Sequence, residues 1–264
     1  MVDKSEKFRS LVRLGFAARG VVYALMGYLA LTGAGGEKGP EGAFNWIQDA
    51  PLGEPVLYAA AVGLAAYAVF RLCSLLFDIE SHGADAKGTL HRVGHGASAL
   101  AHFALAWTAF QFAHGDKQTA TDGNAQEAAG SLLSFGFGPI LLGLLGVGFL
   151  VVAFLQGKSA VTASFMHRVA GDAPALVEPI GRAGHAARGA VFAIIGWSLI
   201  QSGWLATENR IKTLGDAVSS LAGSGIWYTL VAIGLLMFGV FSLFVAYYRV
   251  VPDISREDLR PSFR

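Results

Sequence analysis

The sequence predicts an all-α, polytopic membrane protein of six transmembrane helices, arranged as three tandem two-helix repeats around a pseudo-threefold axis. Three observations predict it: the apolar content, its division into runs of membrane-crossing length, and the likeness of those runs to one another. Of 264 residues, 53% are hydrophobic and 15% charged, with a mean hydropathy of +0.49. A soluble fold cannot bury that much apolar surface.

The apolar runs lie at about 14–33, 54–78, 92–114, 137–157, 182–204 and 226–250. Each is about 20 residues long, enough to cross a hydrocarbon core about 30 Å thick. The first run follows a basic stretch and precedes Gly33, Ala34 and Gly35, so a cleaved leader has to be considered. Its close match to the fifth run argues instead that it is a permanent helix.

That match opens the odd-numbered runs. Residues 13–28 read RLGFAARGVVYALMGY, residues 182–197 read RAGHAARGAVFAIIGW, and residues 92–107 read RVGHGASALAHFALAW. The middle copy keeps the frame but loses the second arginine, at Ser98, and the glycine after it, at Ala99. The even-numbered runs repeat at AVG 61–63, GVG 146–148 and AIG 232–234. The single membrane domain thus divides into repeats of about 9–80, 88–160 and 178–251. With two spans per unit, all three copies point the same way, a parallel arrangement about the membrane normal.

In each unit the outer connection holds a segment of mixed polarity: 43–48, 125–133 and 214–221. These are expected to be short amphipathic helices at the interface, with a polar loop as the alternative. Gly and Pro then punctuate entry to the next span, as at Pro51, Gly53 and Pro55 or Gly136, Gly138 and Pro139.

Charge sets the expected orientation. Of the 20 Lys and Arg residues, all but Lys38, Lys117, Arg210 and Lys212 fall on the side of the N-terminus. Basic residues flanking spans stay in the cytoplasm, so both termini are expected there, in a bacterial inner membrane. Cys73, the single cysteine, lies inside the second run without a partner, which excludes a disulfide framework and leaves the redox compartment unread.

Two faces of the odd helices stand out. Gly20, Ala24 and Gly27, matched by Gly189, Ala193 and Gly196, form a small-residue stripe that lets helices approach closely in lipid. They do not form a phosphate loop, since no Gly-rich turn with a following Lys-Ser or Lys-Thr is present. Beside it runs a polar and aromatic stripe: Phe16, Arg19 and Tyr23; His95, Ser98 and His102; His185, Arg188 and Phe192. Converging on the axis, these would line a cationic cavity facing the cytoplasm, because ionisable groups are costly in lipid. Alternatively, Arg19 and Arg188 snorkel toward lipid phosphates at the inner surface.

Arg71 lies on an even helix, where side chains tilt outward and deeper into the bilayer. Its counterparts are Gln156 and Ser242, which predicts a polar layer in the bundle. The runs contain no acid except Glu54 and Asp78 at their ends. The buried arginines are therefore expected to lack a carboxylate at matching depth, and an anionic solute or acidic lipid would suit the guanidinium fork. Helix carbonyls and waters are the alternative. His91, His95 and His102 raise haem or metal ligation, but His185 aligns with His95 and His102 with Phe192, so a sandwich between His102 and His185 is not at one depth. A hydrogen-bonded structural histidine is the plainer reading.

No G-x-S-x-G elbow, H-E-x-x-H pair or paired intramembrane carboxylate is present, so no catalytic residue, enzyme activity, cofactor or metal is expected. Nucleic acid is not an expected partner, since membrane topology already accounts for the basic side. Membrane lipids, a membrane-protein partner or another copy of the chain are.

At the repeated R-x-G-x-x-A-R-G-x-x-[YF] core, 13–23 and 182–192, the chain resembles the bacterial membrane family catalogued as domain of unknown function 1206. The resemblance spans essentially the whole chain and implies three repeats of paired helices, with no established activity. Three paired spans with an interfacial helix in each are also similar to mitochondrial solute carriers, whose P-x-[DE]-x-x-[KR] gate motif is absent here. Two function classes follow: anion or acidic-lipid binding, with permeation as its extension, and a structural or assembly subunit. A haem or quinone redox protein is a weaker third.

Overall fold

The structure, a computed structural model, describes residues 4–33, 39–80, 83, 85–115 and 123–250. Lys38, Lys117, Arg256, Arg260 and Arg264 lie outside the described residues, as do Ala34 and Gly35. Among the described residues the regular elements are helical: α1 (Lys4–Thr32), α2 (Pro40–Gln48), α3 (Gly53–Phe77), α4 (Ala86–His114), α5 (Gly123–Leu133), α6 (Gly138–Thr162), α7 (Val177–Leu205), α8 (Leu214–Ser219) and α9 (Ile226–Tyr248). An antiparallel bridge joins Val169 to Arg249.

Five of the long helices, α1, α3, α6, α7 and α9, are long and apolar enough to cross a membrane. The shortest, at 23 residues, spans roughly 35 Å at 1.5 Å per residue. The protein is a multi-pass helical membrane protein. At 29 residues α4 is as long as α1 and α7, but it is not among those five.

Local chemistry fixes the turns. Pro139 sits in the first turn of α6, where its missing N–H costs nothing. At Gly53 a Cβ would stand 2.0 Å from the Ile47 carbonyl oxygen, and at Gly138 1.9 Å from that of Leu132. Only glycine lets α2 fold back onto the start of α3, and α5 onto the start of α6. The segments expected to be short helices are helical, as α2, α5 and α8. α2 buries Ala43, Phe44 and Ile47 against its neighbours and leaves Trp46 outward.

Around the bundle each helix meets the next in the order α4, α3, α1, α9, α7, α6. α4 and α6, the two ends of that order, are not packed along one another. Close approach is set by small residues. A Cβ on Gly27 would lie 2.4 Å from the Leu236 nitrogen of α9, and one on Gly196 would lie 2.8 Å from the Gly146 oxygen of α6. Gly20 meets Gly239 and Leu243, Gly239 meets Ala24, and Gly189 meets Ala153 and Gln156. Ala193 instead borders an outer cleft with Trp197 and Lys212.

Candidate functional site

The starts of α1, α4 and α7 and the ends of α3, α6 and α9 share one end of the bundle, and the polar interior lies toward it. Tyr67 of α3 is at its centre, fully buried. Its hydroxyl oxygen accepts from Arg19 Nη1 at 2.5 Å and from Arg71 Nε and Nη2 at 2.9 and 2.7 Å. Arg19 turns into the bundle, 6% exposed. Its Nη2 donates to the Ser242 hydroxyl at 3.0 Å, and its guanidinium lies 4.7, 4.8 and 5.0 Å from the rings of Phe16, Tyr67 and Phe238.

Arg188 shares one of those rings. Its guanidinium lies 4.3 Å from Phe238, 4.9 Å from Phe192 and 5.4 Å from Tyr23, and Tyr23 stands edge-on to Phe238 at 4.9 Å. Aromatic faces attract the cations but do not neutralise them. Among the described residues neither Arg19 nor Arg188 pairs with a carboxylate, and the Nε of each is buried with no hydrogen-bond partner.

Arg71 differs. Glu80, just beyond the end of α3, folds back with its side chain 3% exposed and gathers Arg71 at 3.4 Å, His95 Nε2 at 2.8 Å, Arg168 at 2.7 Å and Arg249. The expectation that Arg71 has no carboxylate at its depth is therefore corrected, because its counter-charge comes from a loop. His95 bridges, its Nδ1 3.0 Å from Arg71 Nη1. That geometry fits the neutral ring protonated at Nε2, which donates to Glu80 and accepts from Arg71. Burial lowers the Arg249 guanidinium to about 10 against the opposing pull of Glu80, so it stays charged at neutral pH. Arg249 also covers the Phe16 ring at 4.8 Å.

The polar layer joins successive helix pairs. Arg71 of α3 meets His95 of α4, Gln156 Oε1 of α6 accepts from His185 Nδ1 of α7 at 2.5 Å, and Ser242 of α9 meets Arg19 of α1. His102 Nδ1 donates to the Ser98 carbonyl at 2.7 Å, and its ring lies 4.5 Å from Tyr67. With Nδ1 carrying the proton in His102 and His185, each Nε2 is an acceptor, and both are buried without a partner.

Of the residues named from sequence, Arg19, Arg71 and His102 meet at Tyr67, Tyr23, Arg188 and His185 lie around Phe238, His95 joins Glu80, Gln156 joins His185, and Ser98 contributes its backbone. Tyr67, Glu80, Arg168 and Arg249 were missed. Tyr67 could have been found from its place one helical turn before Arg71, on the same face. The first arginine of the repeated core has its own role in two copies. Arg92 donates to the Leu75 and Leu76 carbonyls, and Arg182 to those of Ala160 and Val161. Each holds the open carbonyl end of the preceding helix.

Comparison with known proteins then places the sequence. The family described as Domain of Unknown Function (DUF1206) matches residues 14–74, 93–163 and 183–249. The chain belongs to this family. Each matched segment takes in one pair of long helices. The chain is also similar to the uncharacterised protein YxxB of Bacillus subtilis (strain 168), 31% identical over 250 residues and covering 90% of each chain. No solved structure matches.

Proposed function

We propose that this member of the family binds an oxyanion, carried by a solute or by an acidic lipid, among Arg19, Arg188, Arg71 and Tyr67 on the bundle axis. One observation carries the reading. Two guanidinium groups share the Phe238 ring among apolar helices, with no carboxylate partner among the described residues and each with a buried Nε that has no hydrogen-bond partner. Charge is costly in such surroundings unless paired, and guanidinium is the side chain that takes oxyanions through paired donors. Unpartnered acceptors at His102 and His185 Nε2 suit a ligand that also carries a hydroxyl.

The frame proposed for this site is six membrane spans, α4 included, as three repeats about a pseudo-threefold axis. Three matched segments and the cyclic contacts Arg71 to His95, Gln156 to His185 and Ser242 to Arg19 support it. Both termini are proposed to be cytoplasmic in a bacterial inner membrane, which puts the Glu80 cluster at the cytoplasmic mouth. In this reading the protein is not an enzyme, and permeation of the anion is the extension of binding.

The test is native mass spectrometry of protein purified in mild detergent, comparing wild type with Arg19→Ala/Arg188→Ala. A defined anionic species retained by wild type and released by the variant is the expected result. Retention that ignores both arginines sinks the reading. The assembly-subunit alternative draws on a separate observation. The apolar stretch of α6 is 17% buried, against 44–61% for the other four, which leaves room for a partner helix.

A further inference from the structure

The ring of helices has one open joint, and it falls inside the second repeat. In the first repeat a Cβ on Gly63 would stand 2.4 Å from the Cβ of Ala18, and in the third a Cβ on Gly234 would stand 2.4 Å from that of Ala187. α3 therefore packs on α1, and α9 on α7, through the same small-residue notch. The corresponding residues of the second repeat are Gly148 on α6 and Ala97 on α4. Gly148 faces open space, and Ala97 is exposed. One turn away, Gly15 and Gly184 lie against the backbones of Tyr67 and Phe238, while their counterpart Gly94 meets nothing within 4 Å.

The residues that close the other two pairs are thus present on α4 and α6, and among the described residues α7 is the long helix that packs along α6. The opening is at membrane depth, where the available filling is apolar. Its end is cationic. His95, next to Gly94, belongs to the Glu80 cluster, and Arg168 of the same cluster follows shortly after α6. Deeper along α4, His102 lies against Tyr67, where Arg19 and Arg71 meet. From the helix ends the way inward is crossed by Glu80, bound to groups from α3, α4, the segment after α6 and the residue after α9. From the side, between α4 and α6, no such clasp stands among the described residues.

We propose that the anion held by the arginines is the phosphate of an acidic membrane phospholipid, which enters sideways through this seam. One acyl chain lies between α4 and α6 against Gly94, Ala97 and Gly148. This rests on the anion-binding reading above and names its ligand. A lipid satisfies both halves of the site at once. Its head group meets the guanidinium groups, and its chain fills an apolar groove that a water-soluble anion would leave open.

The experiment reconstitutes the full chain in nanodiscs containing equal phosphatidylglycerol and phosphatidylcholine, releases it into mild detergent, and counts retained lipids by native mass spectrometry. Ala97→Leu/Gly148→Leu fills the seam from both sides without touching a charge. Gly94→Leu does so at a single site facing open space, should the double variant fold poorly. Wild type is expected to retain phosphatidylglycerol in preference to phosphatidylcholine. The seam variants are expected to lower that retention roughly tenfold while melting like wild type, and Arg19→Ala/Arg188→Ala to abolish the preference. A water-soluble anion that is released by the arginine substitutions but ignores the leucines keeps the anion site and overturns the lipid. Loss of every anion in wild type overturns both. A dimer that the leucines dissolve, or a second protein seated in the seam, overturns the lipid as its occupant.

Discussion

Glu80→Gln removes one negative charge and almost no volume from the point where four basic side chains meet. Glu80 has its side chain 3% exposed, with His95 at 2.8 Å, Arg168 at 2.7 Å, Arg71 at 3.4 Å and Arg249 in contact. Removing one partner of a buried ion pair costs about 3–5 kcal/mol, because the other charge is left uncompensated. The lower end applies here. Arg168 is 37% exposed and screened by water, and the glutamine oxygen still accepts from one guanidinium. About 3 kcal/mol corresponds to a fall of about 6–12 °C in the unfolding midpoint for a chain of this size. The assay is thermal unfolding in detergent followed by tryptophan fluorescence, with Glu54→Gln, at the exposed start of α3, as the control. If Glu80→Gln shifts the midpoint no more than the control does, the carboxylate is not the clasp that joins these segments.

Tyr67→Phe removes an oxygen that accepts three N–H groups from Arg19 and Arg71, and bonds to charged groups contribute about 1.5–3 kcal/mol each when removed singly. A loss of at least that size is expected in denaturant titrations, and a neutral variant contradicts the network. Gly63→Ala and Gly234→Ala place a Cβ 2.4 Å from a neighbouring alanine and should each lower stability by about 1–3 kcal/mol. Their counterpart Gly148→Ala, facing open space, should be neutral or gain the roughly 0.5–1 kcal/mol that alanine gives a helix interior. Equal behaviour of the three in thermal melts would contradict the open seam. Orientation is checked with single cysteines in a Cys73→Ser background. Labels at 168 and 210 should react from opposite sides in inverted and right-side-out vesicles, with 168 cytoplasmic, and labelling from one side at both positions rules that topology out.

What the sequence made legible follows from what repeats and periodicity can carry. Long apolar runs and self-similar openings mark the helices, and the short outer segments emerge as α2, α5 and α8. The stripe through Arg19, His95, His102, His185 and Arg188 was readable because helical spacing alone puts those residues on one face. Partners were not readable. Glu80 lies in a connection, nine residues beyond Arg71, and only the reversal of the chain after α3 brings it back beside that arginine. Arg168 and Arg249 were assigned to a flank by their charge, where they sit just outside spans, yet the bridge from Val169 to Arg249 draws both onto the carboxylate. Least legible was the open seam. Gly94, Ala97 and Gly148 align with Gly15, Ala18 and Gly63 and with Gly184, Ala187 and Gly234, which pack closely, and nothing in the sequence marks them as different. α6 packs along α7 and α4 along α3, and among the described residues the ties that the Glu80 cluster makes between these two pairs lie at the helix ends.

The proposed site requires that something negative sit between Arg19 and Arg188. A cryo-electron microscopy map of the protein in nanodiscs containing acidic lipid tests this most directly. Non-protein density is expected within hydrogen-bonding distance of the Nε atoms of both arginines, beside the Phe238 ring, weakened when both are replaced by alanine. A map in which protein side chains fill that space, with Arg19 held by Tyr67 and Ser242 and Arg188 by the aromatic rings alone, would contradict it.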